Sequence, residues 1–226
     1  MKVSITIGML FFATVLYGQQ CQCETDTQLK EIISCETIHF NNHSKLYRQF
    51  NCDSSWLTFE SSVGIKRTLY SLEAALMNYT ERLGYQYATE YKWSFLIQNN
   101  LISGCCTPPE YILFNKINGA SIKKLGRLIF YSEKSRYPIV VFINEKTLNS
   151  LKFYNIDTKK SFAIYLPSGK IKNTLRNGSQ IHPEYLFDEP AIIGTVFSVS
   201  FKYQNSGKTD KWYENIISVD LKKYGY

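Results

Sequence analysis

Short apolar runs separated by polar turns fill the second half of the chain. The runs are rich in aromatic and β-branched residues, and turn-forming pairs such as Asn118-Gly119 and Asn177-Gly178 stand between them. This pattern predicts consecutive antiparallel strands. The last two runs alternate apolar and polar residues, which favours a hairpin with one face on a core. The predicted strands are residues 93–97, 111–114, 128–131, 139–143, 151–155, 162–166, 196–203 and 216–221.

Helical periodicity is confined to the first half of the chain. A short helix is predicted near residues 28–38, where apolar residues follow helical steps. A second is predicted over residues 72–83, where four apolar residues recur at steps of four, three and four. Ser71 can cap its start and Gly84 its end. The first half is also predicted to contain strands at residues 56–59 and 66–72.

The predicted fold class is therefore mainly β, with antiparallel sheets arranged as a sandwich or a mixed sheet and one or two short helices in the first half. Two segments, 114–119 and 153–158, resemble each other as strand, polar turn and strand, and they lie 39 residues apart. This distance is close to the length of a propeller blade. A small β-propeller-like repeat is therefore the alternative architecture.

Residues 1–18 have the layout of a secretory signal peptide: a basic second residue, an apolar stretch at 5–17 and a small residue at the boundary. The apolar stretch is shorter than the roughly 20 residues that cross a bilayer as a helix. An N-terminal anchor or a lipid on Cys21 is the alternative. We predict export to the periplasm or the extracellular space. The mature chain, 19–226, is expected to be one β-rich domain without a transmembrane segment and with a weak sub-boundary near 107–113.

Six cysteines follow the signal peptide, all in the first half of the chain. An even number of cysteines in an exported protein predicts disulfides, here three. Adjacent cysteines lie closer together than disulfide geometry favours. Cys105 and Cys106 are therefore expected to bond outward and to tie residues 21–52 to the loop at 104–109. The disulfide candidates are Cys21, Cys23, Cys35, Cys52, Cys105 and Cys106.

A metal site is the alternative use of these side chains. Cys35, His39 and His43 are spaced four apart and would line one face of a helix, where thiolate and imidazole suit zinc. Asn41 and Asn42 interrupt that helix, and the spacing matches no standard zinc template. We therefore predict no metal and no cofactor.

Charge is distributed unevenly along the chain. Residues 1–113 carry eight Lys and Arg against ten Asp and Glu, whereas residues 114–226 carry eighteen against nine. Such asymmetry favours an anionic partner for the second half. No more than two basic residues are adjacent anywhere, and a nucleic-acid binder would concentrate them. The predicted partner is an acidic protein, a glycan or an envelope surface, and not a nucleic acid.

The residues needed for catalysis are scarce. The chain has three histidines, and none of the common nucleophile, nucleotide or metalloprotease motifs is present. This favours a non-catalytic protein over an enzyme. The alternative is a small secreted hydrolase, such as a glycosidase, that works through a pair of carboxylates. Its candidate residues are Glu60, Glu133, Glu145, Asp157, Glu184, Asp188 and Glu189.

One segment combines aromatic and basic residues. Trp212 and Tyr213 lie in the predicted final hairpin, flanked by Lys208 and Lys211. This combination suits contact with a sugar or a protein, unless Trp212 folds back onto the sheet edge. The sequence thus predicts an exported, disulfide-stabilised, non-catalytic binding protein, an adaptor or immunity-type protein, whose basic second half meets an acidic partner.

Overall fold

The computed structural model describes residues 21–24, 28–81, 83–100, 107–133, 137–178, 182–205 and 211–225. These residues form four antiparallel sheets and a few short helices, which confirms the predicted mainly β fold class. The predicted signal peptide lies outside the described residues, and so do Cys105, Cys106 and Lys208.

Each sheet consists of strands that lie side by side in the order in which they follow along the chain. Sheet 1 contains β1 (Ile38–His39), β2 (Lys45–Phe50), β3 (Ser54–Glu60) and β4 (Lys66–Glu73). Sheet 2 contains β5 (Tyr85–Glu90), β6 (Ser94–Asn99), β7 (Glu110–Asn115) and β8 (Ser121–Arg127). Sheet 3 contains β9 (Phe130–Tyr131), β10 (Ile139–Ile143), β11 (Ser150–Asn155) and β12 (Ser161–Tyr165). Sheet 4 contains β13 (Ala191–Ile193), β14 (Val196–Tyr203) and β15 (Tyr213–Asp220).

The helical segments are all short. The α-helices are α1 (Gln28–Ile32), α2 (Ala74–Thr80) and α3 (Lys170–Arg176). Two 3₁₀ turns, Pro183–Leu186 and Leu221–Tyr224, precede and follow sheet 4. Of these, α3 was not predicted, because seven residues with only two apolar positions give little helical periodicity.

Strand β6 shows why the sheets stack on one another. Successive side chains of a strand point to opposite faces, and both faces of β6 are apolar. Phe95 and Ile97 belong to the core between sheets 1 and 2, while Leu96 belongs to the core between sheets 2 and 3. Each of these side chains is fully buried, which contributes about 1.5–3 kcal/mol apiece relative to exposure. A strand of this kind requires a neighbouring sheet on each side.

The same arrangement continues along the chain. In β10, Val140 packs toward sheet 2, while Ile139 and Val141 pack toward sheet 4. Aromatic rings hold the outer interfaces: Phe59 of sheet 1 stacks on Phe95 at 5.6 Å, and Phe153 of sheet 3 meets Phe197 of sheet 4 edge-on at 5.0 Å. The four sheets therefore pack in chain order, each against the next.

The two similar segments noted in the sequence are equivalent hairpins. In sheet 2, the Asn115 amide donates to Ala120 and the Gly119 amide donates back to Asn115, both at 2.9 Å. In sheet 3, Asn155 and Lys159 make the same two bonds at the same distance. Both hairpins join the third and fourth strands of their sheets. The repeat is therefore real at the level of the sheet.

A closed propeller is not shown. A propeller requires the last sheet to pack against the first, and no core cluster of the described ranges joins sheet 4 to sheet 1. The arrangement is an open, sandwich-like stack.

Both predicted helices are shorter than expected. The first ends at Ile32 instead of near residue 38. In the second, Leu72 belongs to β4, where it pairs with Ser55 across the ladder, so that the helix begins only at Ala74. Tyr79, which the periodicity placed on the buried stripe, is exposed, whereas Met77 is buried. Strand pairing therefore took precedence over the local helical pattern.

Two disulfides close the N-terminal segment over sheet 1. Cys21 bonds Cys35 and Cys23 bonds Cys52, across 14 and 29 residues of sequence. Together with α1 and α2 they cover a core that includes Phe50 of β2. On the chain-entropy model, such loops stabilise by roughly 3–4 kcal/mol each. This segment, residues 21–35 with Cys52, is called the N-terminal cap below.

The pairing corrects two expectations. All four cysteines between residues 21 and 52 bond one another, so the expected tie from this segment to Cys105 and Cys106 is wrong. The zinc alternative is wrong as well, because the Cys35 sulfur is held in a disulfide and His39 lies in a strand and not on a helix.

The contact between sheets 1 and 2 can be tested at Gly119. This glycine has φ +65°, and a Cβ there would lie 2.5 Å from the buried Phe59 ring. Gly64 is a matched control, because its φ is +83° but nothing lies within 4 Å of the added atom. We expect Gly64→Ala to lower the free energy of unfolding by about 1–2 kcal/mol through backbone strain alone. Gly119→Ala should cost a further ~1–3 kcal/mol from overpacking, as measured by urea denaturation. Equal losses in the two variants would contradict the packing described here.

Candidate functional site

The aromatic residues predicted at the final hairpin lie at one end of sheet 4. Trp212 precedes β15 and its side chain is 41% exposed. Tyr213, the first residue of β15, pairs with Tyr203 on β14, and their rings stack with centroids 5.7 Å apart. The Lys211 ammonium lies 5.3 Å from the centroid of the Tyr213 ring. The structure thus brings three of the four predicted contact residues together.

A second lysine completes this surface from another part of the chain. Lys170, the first residue of α3, places its ammonium 4.5 Å from the Tyr203 ring and donates to the Asn205 side-chain oxygen at 2.6 Å. Lys170, Tyr203, Tyr213 and Lys211 therefore form a row in which two cations flank two stacked rings, called the lysine–tyrosine row below. No pattern in the sequence pointed to Lys170 or Tyr203, because their proximity depends on α3.

The charge of the row is not neutralised by the described carboxylates. Neither Lys170 nor Lys211 has a carboxylate of the described residues within ion-pair distance. By contrast, the exposed Lys202 ammonium lies 3.0 Å from Asp188. Hydrogen bonds from Ser200 and Lys202 lower the pKa of Asp188, so that pair is ionised at neutral pH. The row is thus the part of this sheet end where positive charge remains available.

The carboxylates proposed for a hydrolase are mostly dispersed. Glu60 is engaged by Lys45 and Lys66 at 3.6 and 3.9 Å and accepts a hydrogen bond from the Tyr47 hydroxyl. Glu133 and Glu189 line one shallow cleft of about 420 Å³, but both are exposed. A general acid for glycoside hydrolysis requires surroundings that hold one carboxyl protonated while its companion is ionised. Glu133 and Glu189 both stand in solvated surroundings, so this cleft does not offer two different environments.

A cleft of about 880 Å³ lies where sheets 1, 2 and 3 meet. The Lys116 side chain is only 3% exposed there, and its ammonium lies 2.5 Å from the Glu90 carboxylate. Glu90 also accepts the backbone N–H of Asn41 at 3.1 Å. Burial raises the pKa of Tyr87 to about 12, with smaller contributions from Glu90 and Glu133. The residues lining the cleft are Ile38, His39, Asn41, Tyr87, Glu90, Tyr91, Lys92, Lys116, Pro138 and Asp157.

Asp157, one of the hydrolase candidates, faces this cleft. Burial raises its pKa above the ordinary aspartate value, and the charges of Lys92 and Lys116 oppose the rise. Its Oδ1 atom is buried and accepts no hydrogen bond from the residues that the structure describes. Glu90, its companion in the cleft, was missed by the sequence analysis. The residues that line this cleft are spread along the chain from residue 38 to residue 157, and no local spacing in the sequence links them.

Glu184, another of the hydrolase candidates, is buried away from the lysine–tyrosine row and from the 880 Å³ cleft. It lies in the 3₁₀ turn Pro183–Leu186 and is 8% exposed. Arg127 Nη1 is 4.0 Å from its Oε2 atom and donates to His182 Nδ1 at 3.2 Å. Burial raises the pKa of Glu184, while a backbone hydrogen bond and the charge of Arg127 oppose that rise and the charge of Glu145 adds to it.

Within the described part of the chain, no three His, Cys, Asp or Glu side chains come together as a possible metal site. Across the same residues, no helix combines the length and the apolar character needed to cross a membrane.

The Glu184 carboxyl gives a pH prediction. Its folded-state pKa is raised, so its favourable contribution is present below the ordinary glutamate pKa and is lost as the pH rises through the folded value. Glu184→Gln removes this loss of stability at higher pH. The Tm of the variant should therefore rise relative to the Tm of wild type from pH 4.5 to pH 7.5. Glu214→Gln, at an exposed position, is the control, and its Tm difference should change less over this range than that of Glu184→Gln. A Glu184→Gln difference that stays constant across this range would refute the assignment.

Comparison with known proteins adds no relative. No protein family, curated protein or solved structure significantly matches this chain. Its function must therefore be inferred from its own residues.

Proposed function

We propose that this chain is an exported, non-catalytic binding protein, of the adaptor or immunity type, and that it meets an acidic partner through the lysine–tyrosine row and Trp212. The observation that carries the proposal is the row itself: two ammonium groups lie over two stacked tyrosine rings at one sheet end. The neighbouring Trp212 is partly exposed.

This surface has the composition of a binding hot spot. Aromatic side chains bury a large area at little cost in conformational entropy, and cations over their faces add about 0.5–1 kcal/mol at exposed sites. The stacked rings hold the two ammonium groups in place before binding, which reduces the ordering cost on association. The positive balance of residues 114–226 adds long-range attraction for an acidic partner.

Export is supported by the disulfides of the N-terminal cap together with the signal-like first eighteen residues. Disulfides persist in oxidising compartments and are rare in the cytosol. Cys21–Cys35 and Cys23–Cys52 are compatible with a disulfide-stabilised exported protein. The compartment, periplasmic or extracellular, is part of the proposal.

An acidic protein fits this surface better than the other predicted partners. The row is only two strands wide and combines tyrosine rings with ammonium groups, a small amphipathic patch typical of protein contacts. Exposed Lys202 beside it is already paired with Asp188, which leaves two available cations instead of a broad basic field. A sulfated glycan or an anionic envelope surface would favour such a field.

The hydrolase alternative has less support. Glu133 and Glu189 share a cleft, but both are exposed. Asp157 has the raised pKa expected of a general acid, whereas Glu90 in the same cleft is bound to Lys116 at 2.5 Å. A carboxylate held in that way is poorly placed to attack a sugar or to activate water.

A charge-matched pair of double variants tests the proposal. Lys170→Ala with Lys211→Ala removes two charges from the row, and Lys222→Ala with Lys223→Ala removes two exposed charges elsewhere. Binding of the mature chain is measured to poly-L-glutamate, to heparin and to vesicles containing anionic lipid. We expect poly-L-glutamate to bind wild type more tightly than heparin or the vesicles do. It should bind the row variant about tenfold more weakly than it binds wild type, and its affinity for the control variant should stay within twofold of wild type.

Two results would oppose this function. Equal loss in both double variants would mean that net charge, and not the row, determines binding. Stronger binding to heparin or to vesicles than to poly-L-glutamate would mean that the partner is a glycan or an envelope surface and not an acidic protein. Trp212→Ala should weaken the same interaction without a change in its salt dependence, because it removes contact area and no charge.

A further inference from the structure

We propose that the 880 Å³ cleft is a second binding site, for a neutral, hydroxyl-rich ligand of the sugar class. The cleft is built from sheets 1, 2 and 3, whereas the lysine–tyrosine row belongs to sheet 4 and α3. Its volume lies within the range of small-molecule sites, which is about 300–1,000 Å³. This inference is independent of the acidic partner proposed above.

The repeated hairpin of the fold builds one wall of the cleft. Lys116 follows Asn115 in the turn of sheet 2, and Asp157 lies in the equivalent turn of sheet 3 after Asn155. In both turns the asparagine side chain accepts a backbone N–H, which fixes the loop. The stack of sheets thus brings two rigid turns, one with a cation and one with a carboxylate, to the same opening.

The charges of the cleft are balanced. Two carboxylates, Glu90 and Asp157, face two ammonium groups, Lys92 and Lys116. An anionic ligand would be repelled by the carboxylates and a cationic ligand by the ammonium groups. A hydroxyl group can donate to a carboxylate and accept from an ammonium, so a ligand rich in hydroxyls satisfies both kinds of side chain.

An unused acceptor indicates where such a ligand would bind. Asp157 Oδ1 is buried and takes no hydrogen bond from the described residues. Buried polar atoms are normally paired, and an unpaired one costs about 1–3 kcal/mol. Because Asp157 lines the cleft, a rotation of its carboxyl that turns Oδ1 to the opening would let a ligand hydroxyl donate to this atom and recover that free energy. The gain is realised only on binding, which makes Asp157 the residue on which affinity should depend most.

Aromatic faces complete the site. Tyr87 and Tyr91 line the cleft, and Lys92 at its edge carries its ammonium 4.8 Å above the ring of Trp93. Trp93 is 58% exposed, so a large apolar ring stands in solvent beside the opening. The apolar face of a sugar ring can stack on such a surface while its hydroxyls reach the charged side chains. Exposed aromatic rings beside convergent polar groups are typical of ligand sites.

The experiment uses the mature chain on an array of neutral oligosaccharides, followed by calorimetry with the sugar that binds best. Asp157→Asn keeps the shape and removes the charged acceptor, and Trp93→Ala removes the exposed ring. We expect Asp157→Asn to weaken binding at least tenfold and Trp93→Ala at least threefold. The matched aromatic control Tyr165→Ala, exposed on sheet 3, should remain within twofold of wild type.

Several outcomes would overturn the inference. The array could show no neutral sugar bound above background, or Asp157→Asn could bind as wild type does. A preference for sialylated or sulfated sugars, or for free amino acids such as glycine, would exclude the neutral class. Because Trp93 is at the surface, Trp93→Ala tests the site even if Asp157→Asn lowers Tm. Loss of sugar binding in Trp212→Ala instead would place the ligand on sheet 4.

Discussion

The structure depends on strands whose two faces are both apolar. Phe95 and Leu96 point in opposite directions from β6, and Val140 and Val141 do the same from β10; all four are fully buried. Such strands are stable only when a sheet covers each face, so the four sheets must stack in series. The stack has two outer faces, one on sheet 1 and one on sheet 4, and these two faces differ. The disulfide-closed cap covers sheet 1, while sheet 4 turns small and polar side chains such as Ser198 and Ser200 outward.

Both candidate sites follow from this arrangement. Sheets 2 and 3 pack in succession and place their third hairpins at the same edge of the stack, which brings Lys116 and Asp157 to the 880 Å³ cleft. The hairpin of β14 and β15 carries the lysine–tyrosine row at one end of sheet 4. The core contributes stability and leaves the ends and turns for recognition, as is usual for loops on a rigid scaffold. The two proposed sites therefore lie on separate surfaces of the same stack.

The sequence predicted many of the strands, missed others such as β2, β5 and β8, and predicted their assembly poorly. The runs at 139–143 and 196–203 became β10 and β14 because β-branched and aromatic residues suit a buried pleated surface. The resemblance between 114–119 and 153–158 also proved structural. Leu72 was assigned both to the predicted strand 66–72 and to the start of the predicted helix. Only the strand assignment is correct, because Leu72 pairs with Ser55, seventeen residues earlier in the chain. The disulfide pairing, the contact of Lys170 with Tyr203 and the cleft around Asp157 all depend on long-range packing, which periodicity does not report.

Hydrogen–deuterium exchange by mass spectrometry tests the serial stack most directly. If both faces of β6 and β10 are buried between sheets, their amides should exchange last and together, only when the whole stack unfolds. The outer strands β4 and β15, whose side chains are largely exposed, should exchange earlier. Early exchange in β6 or β10, with sheets 1 and 4 still protected, would contradict the account, because the sheets would then be independent units and not one packed series.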